Sequence, residues 1–441
     1  MKNSFEIWHN VPCREIVDVL ARIIVYMSVL LIPPPAPAEV YYLGGNDPGT
    51  GTWKSGTWSN FVELVNNLTD GDELRIAGTI ERQGPGTGGY YVTNAANNTK
   101  ITGGWDGKTG GWSRLDISKR ENRSVIDGCQ HTNLLLITGT NVTLEGLVLK
   151  RGAFTSAEKK GANLKILGNG ARIEECSILD AYNPSGMVST TGGGIYLNAS
   201  NVVIRRCFFA GNDAGASAWS GAGGHLYITA SDNVRISECE FTSSGATVNN
   251  SIYLVAGAQR RVIFDNCLFH NDKEIFAWNG TNTFINVTAH NVGLEIRGSP
   301  ATLVFFRNCI VSESGDFIYT NDTGTAKLYI FNSLIDNLSS QTNRFGTTVT
   351  GSVDSATLDI DAGNSPNFAN PAQTNFVPKV GSAAINLGDN AWLADTYQGA
   401  VLGLSYKLQT DFTRRRRVTG EKCDAGACEY QPPAGTVIYF K

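Results

Sequence analysis

The chain is short of several things that would mark a familiar class. Only 17% of its 441 residues are charged and the formal net charge is -4. So mild a balance leaves no electrostatic case for nucleic acid, and no basic patch is interleaved with aromatics. Long apolar runs are missing: Ile23 to Ile32 is too short for a comfortable membrane span, and no other stretch qualifies. None of the 9 cysteines has the paired spacing of a zinc site. Proline is sparse, at 14 residues, against 49 glycines, which suits many turns and short strands. Length alone allows two or three domains.

What is present is a phrase that returns. It reads Arg172-Ile-Glu-Glu-Cys176, Val203-Ile-Arg-Arg-Cys207, Arg235-Ile-Ser-Glu-Cys239, Ile263-Phe-Asp-Asn-Cys267 and Phe305-Phe-Arg-Asn-Cys309. Weaker copies put Gly146, Val287 and Ser333 at the cysteine position. A unit of roughly 20–30 residues repeated in this way is the mark of a solenoid. Within it, apolar and polar residues alternate, break for two residues, then resume with an inward Cys; that is strand, tight bend, strand. No helical stripe separates the copies, so the chain winds once per repeat instead of crossing over through helices. The expected fold is all-β, a right-handed single-stranded parallel β-helix with an N-terminal cap and an irregular C-terminal cap.

The residue before the anchor is Asn266, Asn286, Asn308 and Asn332 in four successive coils. Stacked Asn at a tight bend bond along the axis and tolerate left-handed dihedrals. Cys176, Cys207, Cys239, Cys267 and Cys309 share one inward column. Side chains stacked one strand apart lie wider than a relaxed disulfide wants, so these thiols read as buried and unpaired. Cys423 and Cys428 are close enough in sequence to pair.

Residues 1–38 read as a signal peptide: Lys2, Arg14 and Arg22 precede the apolar run, and Ala36-Pro-Ala38 is a cleavage site. Residues 39–125 are the N-terminal cap and first coils. Trp58, Phe61, Val65 and Leu68 fall at helical spacing after Ser55 and Thr57, a short helix that would cover the open end. Residues 126–345 are the coils. Residues 346–441, where Pro366, Pro371 and Pro378 break the phrase, are the C-terminal cap, packed on the last coil.

Ile101-Thr-Gly-Gly-Trp105, then Arg120, then Ser124-Val-Ile-Asp-Gly128, resembles the opening of bacterial surface proteins built on the pectate-lyase-like β-helix. Gly381-Ser-Ala-Ala-Ile-Asn-Leu-Gly-Asp389, then Asp411, Arg417 and Asp424-Ala-Gly-Ala-Cys-Glu429, is similar to the closing segment of the "choice-of-anchor" type. Ala383 stands where that segment has Pro, and Cys428 where it has an aromatic. The run Arg414 to Arg417 is unusually basic, and is read as solvated or paired with Asp411 and Asp424. The resemblance implies this architecture, export and a cell-surface or extracellular location, and no particular reaction.

In β-helices of this type the long strand before the tight bend floors the substrate groove. Here it carries the triplets Leu164-Lys-Ile, Ile195-Tyr-Leu, Leu226-Tyr-Ile, Ile252-Tyr-Leu, Ile275-Phe-Ala and Leu294-Glu-Ile. Their middle residues point outward: Lys165, Tyr196, Tyr227, Tyr253, Phe276 and Glu295. His225, Glu274, Trp278 and Arg297 lie two residues along, and parity puts them outward too. Aromatic faces stack on sugar rings; aromatics in neighbouring strands also stack on each other. Substrate binding is assigned to Tyr196, Tyr227, Tyr253, Phe276, Trp278, His225 and Lys165. Glu274, Glu295 and Arg297 are the catalytic candidates: two carboxylates roughly 8 Å apart suit a glycosidase, and Arg297 with Lys165 suits a uronate lyase.

No cofactor is evident. Ca2+ is left open, without a cluster of three Asp to support it. His270 and His290 stack in adjacent coils and read as strand ends. The leading function is an exported surface protein that binds polysaccharide, with cleavage by a lyase or hydrolase left open. The alternative is a non-enzymatic adhesin or structural spacer. The partner expected is polysaccharide, not nucleic acid, and the mature chain is expected to be a monomer without a transmembrane segment.

Overall fold

Each coil is three short strands and three corners. The coil that starts at Leu164–Ile166 turns into Arg172–Glu174, bends at Glu175, and runs on as Ser177–Leu179. A longer loop then returns it to Ile195–Leu197, one coil up and parallel to its start. A computed structural model of the protein describes residues 38–84, 91–184, 187, 189–215, 223–245, 250–255, 260–296, 302–313, 318–319, 326–336, 349–360, 362–393, 410–418 and 421–432. Among these, strands stack into three parallel sheets of 13, 11 and 9 strands, called here the first, second and third sheet. This is the right-handed parallel β-helix that the repeat predicts. The leader assigned to residues 1–38 falls, but for Ala38, outside the described residues.

The core is built from columns of like side chains. In the first sheet Ile173, Ile204, Ile236, Phe264, Phe284, Phe306 and Ile330 follow one another in register, each buried. The rings of Phe264, Phe284 and Phe306 stack at 5.1 and 4.8 Å. In the second sheet Phe209, Phe241 and Phe269 do the same at 4.6 and 4.7 Å. Identical shapes one strand spacing apart keep the interior close-packed without a helix.

The corner between the first and second sheets explains the phrase. Glu175, Arg206, Glu238, Asn266, Asn286, Asn308 and Asn332 all adopt left-handed backbone, with φ between 47° and 54°. Asn is among the side chains that tolerate this conformation, and Gly does so freely. Gly146 is the lowest member, φ 67°, and this corrects its sequence placement at the cysteine position. Pairing of Thr143 with Arg172 and of Val148 with Ser177 puts Leu147 in that column and Gly146 at the corner. Cys176, Cys207, Cys239, Cys267 and Cys309 are buried and free. Cys423 and Cys428 are also free and buried.

At the N-terminal end a helix runs from Trp58 to Asn67, capped by Thr57, whose side chain accepts from the Asn60 amide. It buries Phe61, Leu64 and Val65 against the first coils. At the other end Val349–Val353 and Leu358–Asp359 still pair as coil strands, beyond residue 346. From there the described part of the chain touches the last coil at Leu358 and Ile360 but continues past it. It runs back along the second sheet, where Phe368, Phe376, Ala384 and Ala425 cover Leu268, Ile310 and Leu334.

The charges of the closing motif hold this return segment together. Arg417 is fully buried, 3.9 Å from Glu429, and donates to the carbonyls of Asp424 (3.0 Å) and Gly426 (2.5 Å). Asp411 accepts from the amides of Arg415 and Glu429, and Asp424 from those of Asn386 and Tyr430. Reading the whole arginine run as solvated or Asp-paired is therefore corrected at Arg417, which is caged by carbonyls, and at Arg414, which reaches Glu175 on the coils.

Candidate functional site

The third sheet carries the outward column in the register that parity demands. Lys165 pairs with Tyr196, Tyr196 with Tyr227, Tyr227 with Tyr253, Tyr253 with Phe276, and Phe276 with Glu295. Their neighbours Ile195, Leu197, Ile252 and Leu254 are fully buried on the inner face. A one-residue slip would exchange the two sets.

The rings do not lie open. Tyr196 and Tyr227 are parallel at 5.6 Å, Tyr227 and Tyr253 at 5.3 Å, and Tyr253 and Phe276 at 4.1 Å, all within 13° of coplanar. Each interior ring spends both faces on its neighbours. Tyr227 and Tyr253 are half-buried, while Tyr196 and Phe276 are 6% and 3% exposed. What the column offers a ligand is ring edges and hydroxyls. Burial raises the phenol pKa of Tyr196 and Tyr227, helped by the Glu158 charge at Tyr196 and by Tyr196 at Tyr227, so both remain hydrogen-bond donors.

A charged cluster closes the lower end of the column. Lys165 Nζ is 2.6 Å from Glu158 Oε2 and 5.5 Å from the Tyr91 ring centroid. Lys160 Nζ lies 5.2 Å from the Tyr196 centroid. The Tyr91 hydroxyl donates to the carbonyls of Lys160 and Gly161, and burial raises its pKa strongly. Tyr91, Glu158 and Lys160 escaped the sequence reading because they lie off the repeat. For Glu158 and Lys160 the signal was the loop 151–163, a charged excursion between coils; Tyr91 had none.

The upper end carries Glu274, Glu295 and Trp278. Glu274 is exposed at the strand start, and a Cβ at Gly293 would come within 3.0 Å of its Cγ, so the glycine makes room for it. Burial of its carboxyl raises its pKa against the opposing pull of Lys273. A carboxyl shifted upward holds its proton better than an ordinary one and so suits a proton-transfer role. Glu295 follows Phe276 in register but is buried. Trp278 is 42% exposed, an aromatic of this strip with open surface. Arg297 lies outside the described residues.

His225 is a correction. Parity sent it outward, yet it is fully buried. It precedes the strand Leu226–Thr229, at a corner where Gly223, φ 68°, turns the chain, and alternation holds only inside a strand. Its Nδ1 meets the Asn212 amide at 3.0 Å, and its Nε2 faces the Thr242 carbonyl at 3.0 Å and Asp272 at 3.2 Å. The amide nitrogen can only donate, so Nδ1 accepts and the proton sits on Nε2. His225 is a structural link under the loops, out of reach of a ligand on the outer face. Among the described residues no group of three or more His, Cys, Asp and Glu is placed to hold a metal ion, and no helix is long and apolar enough to cross a membrane.

The chain matches the model of the right-handed β-helix region over residues 118–329. No curated protein matches it. Among solved structures it is similar to pectate lyase Pel9A, at 13% identity and TM-score 0.51, over 90% of this chain and 98% of that one. It is also similar to a PL6 alginate lyase complexed with a trisaccharide, at 15% identity and TM-score 0.44, over 70% of this chain and only 61% of that one. The coil geometry, the matched region and the likeness to the pectate lyase structure agree that the fold is a right-handed parallel β-helix.

Proposed function

We propose that the protein engages an acidic polysaccharide along the outer face of the third sheet, and cleaves it there. The observation that carries this is the unbroken outward column from Lys165 to Glu295, with ammonium groups at one end and a carboxyl of raised pKa at the other. Lys160 and Lys165 suit a polymer that bears carboxylates. Tyrosine hydroxyls and ring edges along the column suit sugar hydroxyls and C–H faces, and Trp278 supplies a ring for stacking. Glu274 is the group for proton transfer. The name of one similar structure, a pectate lyase, is in keeping with that substrate class.

The finer elements of this reading are proposals too: export directed by residues 1–38, residence at the cell surface or outside it, a closing segment of choice-of-anchor type, and a monomeric chain. The test is direct. Purified protein is mixed with pectate, alginate and neutral glucans, and scored for co-migration in affinity gels and for new unsaturated or reducing ends. Binding to the acidic polymers with product formation is expected. Folded protein that retains none of the panel defeats the reading.

A second reading has an observation of its own. Because the rings stack on one another, the same column serves equally as a stiffening rib of a non-enzymatic spacer or adhesin. Acidic-polymer binding without products, unchanged by Glu274→Gln, favours that reading.

A further inference from the structure

A cleft of about 130 Å³ opens far from the third sheet, where the left-handed corner meets the loop 106–123 and the C-terminal return segment. Its walls are polar. Ser118, Arg120 and Arg123 come from the loop, Arg206 and Glu238 from the corner, and Phe412 and Arg414 from the return segment. At this corner the Asn of the upper coils gives way to Glu175, Arg206 and Glu238, all with left-handed backbone.

The ion pairs do not balance. Glu175 meets Arg123 (3.3 Å), Arg206 (3.6 Å) and Arg414 (2.6 Å). Glu238 meets Arg205 (3.0 Å) and Arg206 (2.6 Å). Glu240 pairs with Arg120 and lies 3.0 Å from His270, and these partners outweigh burial and lower its pKa, so it is ionised. Five guanidiniums thus share three carboxylates. On the same loop the Asp116 carboxylate, held low in pKa first by hydrogen bonds from Ser118, faces both Lys119 and Arg414. The cleft is lined by more guanidiniums than carboxylates, and the side chain of Arg123 in it is only 3% exposed.

Donors remain on these guanidiniums. Arg414 and Arg120 each engage their glutamate through Nη2. A guanidinium carries five N–H donors in a fixed fork. Arg120 is further held by its stack on Phe208, 3.7 Å from the ring centroid. Forked donors from three separate segments, converging in a cleft richer in guanidinium than in carboxylate, suit a tetrahedral oxyanion, whose oxygens point in several directions.

We propose that this cleft binds a tetrahedral oxyanion, inorganic phosphate or sulfate, clamped between Arg120, Arg206 and Arg414. The bound anion joins the loop, the coils and the return segment at one point. The site is independent of the sugar-binding face and stands or falls separately.

The test is calorimetric titration of the full chain with phosphate and, in a second arm, with sulfate, at ionic strength held constant with chloride. Saturable one-to-one binding of either anion is expected, and the arm that shows it identifies the ligand. Arg414→Gln should weaken it by roughly tenfold or more, the loss of one charge-assisted contact. Should Arg414→Gln fail to fold, Arg120→Gln, a change at a half-exposed side chain, reads the same loss. Binding no tighter than to matched chloride overturns the proposal. So does acetate binding as tightly as phosphate, or wild-type affinity in both variants.

Discussion

Asn308 and Asp389 are joined twice: the Asn308 amide nitrogen donates to the Asp389 carbonyl (3.1 Å), and its oxygen accepts from the Asp389 amide (2.8 Å). The same nitrogen reaches Asn286 one coil away, at 3.1 Å. Asn308 therefore links along the axis and docks the return segment, but the expected four-membered ladder is not continuous: Asn266 Oδ1 and Asn286 Nδ2 do not meet. Asn266 shows the second role alone among its side-chain donations, reaching the Thr410 carbonyl at 2.9 Å.

Asn308→Ala should cost about 1–3 kcal/mol in urea unfolding, since buried partners lose their bonds. Asn308→Gly keeps the left-handed backbone at lower strain and should lose less than alanine. Equal stability of Asn308→Ala and wild type would mean that this link carries no load.

The cysteine column gives a chemical test. Burial pushes the Cys309 thiol up to about 12 and raises those of Cys176, Cys207 and Cys239 well above the ordinary value. A thiol reagent at pH 8 should leave all five column cysteines unmodified in the native protein and label all five once it is unfolded. A disulfide between any two, found by mass spectrometry, would break the register.

His290 makes stability depend on pH. It packs on Phe368 and Phe376, with Nδ1 3.0 Å from the Ser312 hydroxyl and Nε2 3.5 Å from Glu313. Burial lowers its pKa from 6.5; Glu313 opposes this and His270 adds to it. The unfolded chain then binds more protons than the folded one, so stability should fall as pH drops through the ordinary histidine range and hold above it. His290→Gln should flatten that slope. An unchanged slope would assign the pH dependence elsewhere.

On the third sheet Tyr227→Ala removes two ring stacks, about 0.5–1.5 kcal/mol each. It should lower both the denaturation midpoint and affinity for an acidic polysaccharide. Glu274→Gln should abolish product formation and leave binding within a few-fold. If Tyr227→Ala loses stability but no affinity, the column is a rib and the sugar lies elsewhere.

The strands were legible because their alternation is local and strict. Tyr196, Tyr227, Tyr253 and Phe276 landed where parity put them. His225 did not, because a glycine-led corner resets the alternation one residue before the strand. Glu295 kept its register, but outwardness and exposure are different properties, and it is buried. The closing motif could be read as charges and not as a path: nothing in the order of Asp411, Arg417, Asp424 and Glu429 says that the segment runs back over coils already laid down. Pairings that far apart leave no periodic trace in sequence.

That return path sets an order of assembly. A coil needs only the coil before it, some 20–35 residues away, and so can be wound as the chain emerges. The return segment instead bonds partners 81, 139, 144 and 239 residues upstream. Contacts of such separation form late and slowly. The segment can close only over coils already stacked from Glu175 to Asn308, so its docking is a completeness check. A chain halted or misregistered midway would keep Leu268, Ile310 and Leu334 bare, an apolar strip that marks it as unfinished.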